Sequence, residues 1–513
     1  LLCKTISGTT YGLEGRLITV EVDIAPGLPQ LDIVGQPDLP ARESRERVRS
    51  AIRNAGYEFP LKRITVNLAP GDVRKEGTSF DLAIAVGVLG CSGQAPVSEP
   101  EGTLLLAELA LDGSLRPVRG VLPVAAAASR AGVTRALVHP ENLAEVRAAT
   151  GLVGRGAARL AQAIELLRAG PGAWRDEGLA HRIVSTISAT SNRSQDLSSV
   201  RGLSRPKRAV EIAACGGHHM LFTGPPGAGK TMLARALPGL LPALEPPDAL
   251  EVSVAYSVAG LLPPGVGMVT VPPFRSPHHS VSLAGLIGSA RGRPGEVSLA
   301  HRGVLFLDEL PEFRRDVLES LRQPLEEGVV NLSRAGSRLV LPARFQLVAA
   351  TNPCPCGLAG TGACTCSPAE IRRHRRKVSG PLLDRIDIQV EVPRQDWEET
   401  TSGPPADDSS TVARRVEKAR GRQMKRNRDL GASRPYLNAS LEGDALLHAC
   451  GLDTVTSALF SSAFDRLRLS LRSAHKILRI ARTIADMEES SVVRAEHISE
   501  AIGCRTQWAL DPS

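Results

Sequence analysis

The residues Gly224-Pro225-Pro226-Gly227-Ala228-Gly229-Lys230-Thr231 fit the pattern G-x-x-x-x-G-K-[ST]. Glycines let such a backbone close into a nest of N–H groups facing phosphate oxygens. In that chemistry Lys230 reaches the β- and γ-phosphates and the Thr231 hydroxyl holds Mg2+. Two carboxylates, Asp308 and Glu309, end the apolar run 303–307. Asp308 suits the Mg2+ shell, and Glu309 suits orienting and activating a water. Asn352 ends a second apolar run, 346–350. It can hydrogen-bond the γ-phosphate or that water, or simply terminate a strand.

These groups need strands to position them. The apolar run His219-Met-Leu-Phe-Thr223 precedes the glycines, and a helix is expected to begin near Lys230, adding its positive end. Residues 303–307 and 346–350 read as buried parallel strands, whose C-terminal ends carry ligands in such sheets. The central part therefore reads as a doubly wound parallel α/β sheet.

Two polar stretches, 186–199 and 401–410, read as linkers. They separate residues 1–185, 200–400 and 411–513. The first part mixes strand-like runs (Arg63–Leu68, Thr103–Ala107, Ala136–His139) with helical ones (Phe80–Leu89, Val121–Arg130, Glu141–Thr150), an α/β order. The last part shows helices over Arg466–Met487 and Val493–Gly503 and reads as helical.

The chain has 513 residues, 42% hydrophobic and 23% charged, enough for ordinary cores. Aromatics are only 3%, which argues against base stacking as the main mode of nucleic-acid binding. The net charge of +8 permits a polyanionic partner. Apolar runs are too short to cross a bilayer, and Leu1-Leu2-Cys3-Lys4 lacks the layout of a secretory signal. Scattered cysteines suggest reduced thiols and a cytoplasmic setting.

Cys354, Cys356, Cys364 and Cys366 form C-x-C…C-x-C. Four thiolates suit a closed tetrahedral structural zinc site; incidental thiols or a reversible disulfide are the other reading. Residues 411–428 hold eight basic residues and one acid. Arg414, Lys418, Arg422 and Arg426 recur every four residues, one stripe on a helix, with Val412, Val416 and Ala419 on another face. The stripe points to DNA or RNA phosphates, against a solvated face as the alternative. The run Arg372-Arg-His-Arg-Arg-Lys377 points the same way. Residues 329–341 alternate as a hairpin with Gly336 near the turn.

Taken together, the phosphate loop, the Asp308-Glu309 strand, the Asn352 strand, Ser379-Gly-Pro-Leu-Leu-Asp-Arg385 and Leu469-Ser-Leu-Arg472-Ser-Ala-His resemble the AAA+ ATPases of the magnesium-chelatase-like clade. The whole chain, including Pro273-Phe-Arg-Ser-Pro-His-His279 and Leu310-Pro-Glu-Phe313, resembles the YifB/ComM family of bacterial competence-associated proteins. That resemblance implies an ATP- and Mg2+-dependent motor with a helical C-terminal lid. Arg385 matches the arginine finger and Arg472 the sensor-2 arginine. A finger acting on a neighbour implies a ring, a hexamer. The hairpin is similar to the pre-sensor-1 hairpin, which would carry Arg334 and Arg338 to phosphates. The family implies branch migration or helicase action on single-stranded, forked or branched DNA, in recombination during natural transformation. A chelatase-like remodeller of a protein partner is the alternative.

Lys75-Glu-Gly-Thr-Ser79-Phe-Asp resembles the nucleophile segment of Lon-type proteases, with Ser79 at the nucleophile. The position of the Lon catalytic lysine falls on Leu122, which cannot act as a base. The resemblance therefore implies a non-catalytic Lon-like α/β fold over 1–185, rather than an ATP-dependent peptidase.

Overall fold

The computed structural model describes residues 2–95, 102–170, 174, 195–289, 292–334, 337–360, 362–395, 407–429, 431 and 436–505. Most of both expected linkers, 186–194 and 401–406, lies outside the described residues.

The N-terminal part is built on a seven-stranded mixed sheet. Its strands are β1 (Leu2–Tyr11), β2 (Glu14–Ala25), β3 (Gln30–Val34), β4 (Arg63–Ala69), β5 (Thr103–Leu106), then, after the two-stranded ribbon β6 (Glu108–Leu109) and β7 (Leu115–Arg116), β8 (Arg135–Val138) and β9 (Val153–Gly156). The order is β3-β4-β2-β1-β5-β8-β9. β2 is antiparallel to β1 and β4, and the other pairs are parallel. Side chains alternate across the sheet. Leu105 and Leu137 join one core with the helices Leu39–Asn54 and Asp81–Cys91. Leu104, Leu106, Ala136 and Val138 join the opposite core with the helix Val121–Arg130. That helix lies close to the β1–β2 hairpin: a Cβ on Gly15 would sit 2.1 Å from the Pro123 carbonyl oxygen.

The central sheet contains β10 (Met220–Thr223), β11 (Phe274–Arg275), β12 (Val304–Leu307), β15 (Gln346–Thr351) and β16 (Ile388–Glu391). All pair in parallel, in the order β11-β12-β15-β10-β16. Phe222, Phe306, Val348 and Ile388 face one core, and Leu221, Leu305, Leu347 and Ala349 face the other. Both faces are thus covered, as a doubly wound sheet requires. Outside the sheet, β13 (Val329–Arg334) and β14 (Ser337–Pro342) form the expected antiparallel hairpin. Residues 335–336 at its tip lie outside the described residues.

The C-terminal part is helical: Ser409–Asp429, Gly443–Cys450, Thr454–Arg466, Leu471–Met487 and Ala495–Gly503. The helix expected over Arg466–Met487 is broken. Arg466 ends one helix, and Ser470 starts the next by accepting from the Ser473 N–H, because a Ser side chain satisfies an orphan donor at a helix start. Ile477, Leu478, Ala481, Ile484 and Ala485 form the buried stripe of that helix and join the core of the central sheet.

The N-terminal part meets the central part at the helix Pro246–Ala259. The buried Glu145 carboxylate accepts from Leu122 N (3.1 Å), from Asn142 Nδ2 (2.8 Å) and from the Ser257 hydroxyl. Gly120 N donates to Ser257 O at 3.0 Å. The place expected to lack a catalytic lysine is therefore a junction between the parts. Among the described residues no helix is long and apolar enough to cross a membrane.

Candidate active site

The phosphate loop runs from the end of β10 to the helix Lys230–Ala236. Gly227 (φ 77°) and Gly229 (φ 94°) are left-handed, a conformation that side chains disfavour. Gly224 is required for space, since a Cβ there would lie 2.1 Å from the Val392 carbonyl oxygen. Lys230 is only 8% exposed. Its ammonium donates to Gly224 O (2.6 Å), Pro225 O (2.8 Å) and Asn352 Oδ1 (3.0 Å). Burial pulls its pKa below the usual lysine range, and Asp308 and Glu309 oppose that shift. All three acceptors are neutral oxygens, so a buried cation faces the loop without a directly bonded anion. That donor set fits a phosphate group.

β12 and β15 lie side by side and bring their tips to the loop. Thr231 Oγ1 donates to Asp308 Oδ2 at 2.8 Å, which fits a hydroxyl and a carboxylate sharing one hard cation. Glu309 follows with a left-handed backbone, φ 52°. Its carboxylate is more than half exposed and lies 3.9 Å from His279 Nδ1. Two contacts, Lys230 with Asn352 and Thr231 with Asp308, thus gather four of the expected residues, with Glu309 next in sequence to Asp308. A cavity of about 380 Å³ opens next to Glu309 and Asn352, lined also by Cys354, Glu370, Arg373 and His374.

The chain can be aligned over almost its whole length with known proteins. It is 42% identical over 510 residues to an uncharacterized protein of Mycobacterium tuberculosis, covering 99% of both chains. It is 40% identical over 517 residues to the competence protein ComM of Haemophilus influenzae, covering 99% of this chain and 98% of that one. To the uncharacterized protein YifB of Escherichia coli it is 40% identical over 504 residues, covering 96% and 95%. The chain belongs to the YifB/ComM family of magnesium-chelatase-like AAA+ ATPases. Residues 196–400 match the family of magnesium chelatase subunit ChlI, 20–142 a second ChlI family and 406–505 the ChlI C-terminal family. The N-terminal region also resembles a Lon protease of Bacillus thuringiensis, 27% identical over 135 residues. The AAA+ family makes this an ATPase motor that uses ATP and Mg2+.

The other expected site residues of this YifB/ComM family member lie apart from Lys230. Arg385 follows the helix Gly380–Leu383 and donates to Pro381 O and to the Glu326 carboxylate. Arg472 is exposed on the first turn of the helix Leu471–Met487. One turn later the Lys476 ammonium donates to Ile386 O (3.3 Å) and to Asp384 O, the two carbonyls flanking Arg385. The two arginines therefore belong to one stapled assembly.

The basic stripe needs correction. It lies on the helix Ser409–Asp429, which buries Val412, Val416 and Ala419 as expected. Lys418 and Arg422 pair with Glu489. Arg422 also donates to Asp486 O at 2.8 Å. Arg426 reaches Asp486 Oδ1 (2.8 Å) and Asn438 Oδ1 (2.5 Å). Arg414 rests 3.2 Å from Thr411 Oγ1. Three of the four residues staple this helix to the end of the helix Leu471–Met487 and the turn after it, where Asp486 and Glu489 supply the opposite charges. They do not form a free cationic face. In the second basic run, His374 turns inward to Asn352 O (3.2 Å) and Lys377 pairs with Glu312 (3.0 Å). On the hairpin, Arg338 donates to Asn331 Oδ1 at 3.0 and 2.9 Å. Arg334 ends β13, and its side chain lies outside the described residues.

The four Sγ atoms of Cys354, Cys356, Cys364 and Cys366 lie within 4.8 Å of one another. Three pairs are 3.3, 3.6 and 3.8 Å apart. Tetrahedral thiolates about 2.3 Å from zinc would be separated by about 3.8 Å, so the set fits that metal. The cysteine loop also touches the phosphate loop: a Cβ on Gly357 would lie 2.4 Å from Pro226 Cδ. In the N-terminal part, Ser79 Oγ donates to Gly8 O (3.0 Å), and Leu122 is fully buried.

Sequence reasoning missed His279, His374 and Lys476 as neighbours of the site. The first two lay inside quoted motifs, but neither spacing nor charge singled them out. Lys476 lay on an expected helix with nothing to indicate its carbonyl partners.

Proposed function

We propose that this ATPase assembles as a ring, a hexamer, and moves single-stranded, forked or branched DNA in recombination, in the cytoplasm. The observation that carries the motor reading is the contact set joining Lys230, Thr231, Asp308 and Asn352 at the tips of three parallel strands. Lys230 binds the β- and γ-phosphates, and its Asn352 contact keeps the amide facing the same oxygens. Thr231 and Asp308 hold Mg2+, which when bound neutralises phosphate charge. Glu309 orients the attacking water and takes its proton. Arg385 serves a neighbouring copy's nucleotide, as a finger that can be worth about 10³–10⁵ in rate, and Arg472 is the sensor-2 arginine of the helical lid. The four cysteines hold a structural zinc that stiffens the loop beside Asn352. Residues 1–185 act as a non-catalytic Lon-like domain joined at Glu145, 200–400 form the motor core and 411–513 its lid.

The DNA substrate is supported by the name of the relative ComM, a competence protein, and by the basic hairpin that carries Arg338. A second reading, remodelling of a protein partner, gains weight from the internal pairing of Lys418, Arg422 and Arg426. The deciding experiment is the ATPase rate with and without forked or four-way DNA at two salt concentrations. Stimulation that weakens at high salt is expected. No stimulation and no DNA binding at low salt would remove the DNA reading in favour of the protein partner.

A further inference from the structure

The direction of the Glu309 side chain is set by an uncommon backbone. Its φ of 52° is left-handed, a conformation that costs a non-glycine residue on the order of 1–3 kcal/mol and clusters at functional sites. The carboxylate itself is 57% exposed, so packing does not select its rotamer. Among the described residues His279 is the charged or titratable side chain within ion-pair distance of it, with Nδ1 3.9 Å from Oε2, and the Lys230 ammonium acts on it from farther away.

Topology delivers this histidine. It lies in the segment after β11, the edge strand running parallel to β12, so the segments following both strands emerge at the same end of the sheet. The base of the His279 segment is fixed. Arg275 donates to both Glu296 oxygens (2.7 and 2.8 Å), and Phe274 stacks on Phe306 of β12 with centroids 6.0 Å apart. The His279 ring packs against His278, with centroids 4.0 Å apart, and makes a T-shaped contact with buried Phe313 at 6.4 Å. His278 is itself bound to the Ser280 hydroxyl at 2.8 Å. Beyond these anchors most of the segment 276–285 is exposed.

We propose that His279 is the positioning residue for Glu309. Its imidazole N–H holds the carboxylate at the mouth of the phosphate loop and ties the exposed segment 276–285 to hydrolysis. A separation of 3.9 Å is longer than a hydrogen bond, and a small side-chain rotation closes it. This inference rests on the reading of Glu309 as the group that activates water. Misplacing such a group by about 1 Å can cost on the order of 10² in rate. His279 leaves Lys230, Thr231 and Asp308 untouched, so its loss is expected in kcat and not in ATP binding.

The test compares His279→Ala, His279→Asn, Glu309→Gln and the Glu309→Gln/His279→Ala pair by steady-state and single-turnover ATPase assays. His279→Ala should lower kcat about 10- to 100-fold, with KM for ATP within about twofold. His279→Asn, which keeps an N–H near the Nδ1 position, should recover much of that loss. On the Glu309→Gln background the alanine change should have no further effect, as expected for residues acting through one another. A kcat within twofold of wild type in His279→Ala, or an equal loss on both backgrounds, overturns the proposal. Near-normal turnover of Glu309→Gln would instead overturn the Glu309 reading on which it stands. If the alanine variant does not fold, His279→Phe, which keeps a planar ring and removes the N–H, runs the same cycle with Glu309→Gln.

Discussion

Thr231 Oγ1 donates to Asp308 Oδ2 at 2.8 Å. The hydroxyl at the start of one helix and the carboxylate at the tip of β12 are already in contact, as two ligands of one cation need to be. Asp308→Asn keeps the shape and removes the charge. It should leave the fold intact and lower ATP hydrolysis by at least about 100-fold, in line with losses seen when one electrostatic group is removed from a preorganised site. Raising Mg2+ should recover part of the loss if the defect is metal binding. The ATPase rate measured against Mg2+ concentration checks this, and unchanged turnover at every concentration would contradict the role of Asp308.

Much of this site was legible in the sequence for a physical reason. A phosphate nest requires glycines at fixed offsets, and buried parallel strands read as apolar runs, so Lys230, Asp308 and Asn352 fell at positions that local rules define. The hairpin β13–β14 was legible because alternation sets its register. The β1–β2 hairpin is not legible in this way, since its alternation is diluted by glycines and charged residues. The stripe Arg414, Lys418, Arg422 and Arg426 was correctly placed on a helix, but sequence periodicity does not reveal what faces it. Its acids, Asp486 and Glu489, come from the end of a helix some sixty residues later and the turn that follows it. His279 escaped because its partner Glu309 follows another strand and only the parallel pairing of β11 with β12 brings the two segments together.

The ion pair Arg426–Asp486 gives a stability prediction. Asp486 is nearly buried and takes Arg426 at 2.8 Å and Arg482 at 2.9 Å. Arg426→Ala removes charge-assisted hydrogen bonds from a buried carboxylate, at a cost of about 1.5–3 kcal/mol. Lys418→Ala, at an exposed pair, should cost about 0–1 kcal/mol. Urea denaturation of both variants measures the difference. Were Arg426 a phosphate contact instead, its loss would leave stability unchanged and reduce the salt slope of DNA binding by about one.

The cysteine loop packs against the phosphate loop, so zinc held by its four thiols would bear on nucleotide affinity. It follows Asn352, packs Gly357 against Pro226, and leads to the helix Pro368–Arg375, which returns His374 to Asn352 O. Protein purified without chelator should carry about one zinc per chain, as a closed four-thiolate site does. Cys364→Ser should lose the metal, lower the melting temperature and weaken ATP binding. Elemental analysis together with titration of a fluorescent ATP analogue tests both halves. A folded, reduced protein with less than about a tenth of an equivalent of zinc would sink the zinc assignment.

Lys476 supplies a prediction for both the pH dependence of stability and activity. It is almost fully buried beneath the Arg385 segment, and burial brings its pKa down to about 8 against Asp387, which pulls it up; Arg505 and Arg479 push it down and Asp384 up. The folded-state value is below the ordinary lysine value of 10.5. Between about 8 and 10.5 the unfolded chain therefore holds more protons at this site than the native one. Stability contributed through Lys476 must rise with pH across that window, by up to about 1.4 kcal/mol per pH unit. Lys476→Met should flatten this rise, which urea denaturation at several pH values will show. The same change frees the carbonyls of Asp384 and Ile386 and loosens the backbone on both sides of Arg385. ATPase activity should then fall at least about tenfold at neutral pH. Lys476→Arg, which keeps a donor over those carbonyls, should retain more activity than Lys476→Met. Full activity of Lys476→Met would show that Arg385 does not depend on this staple.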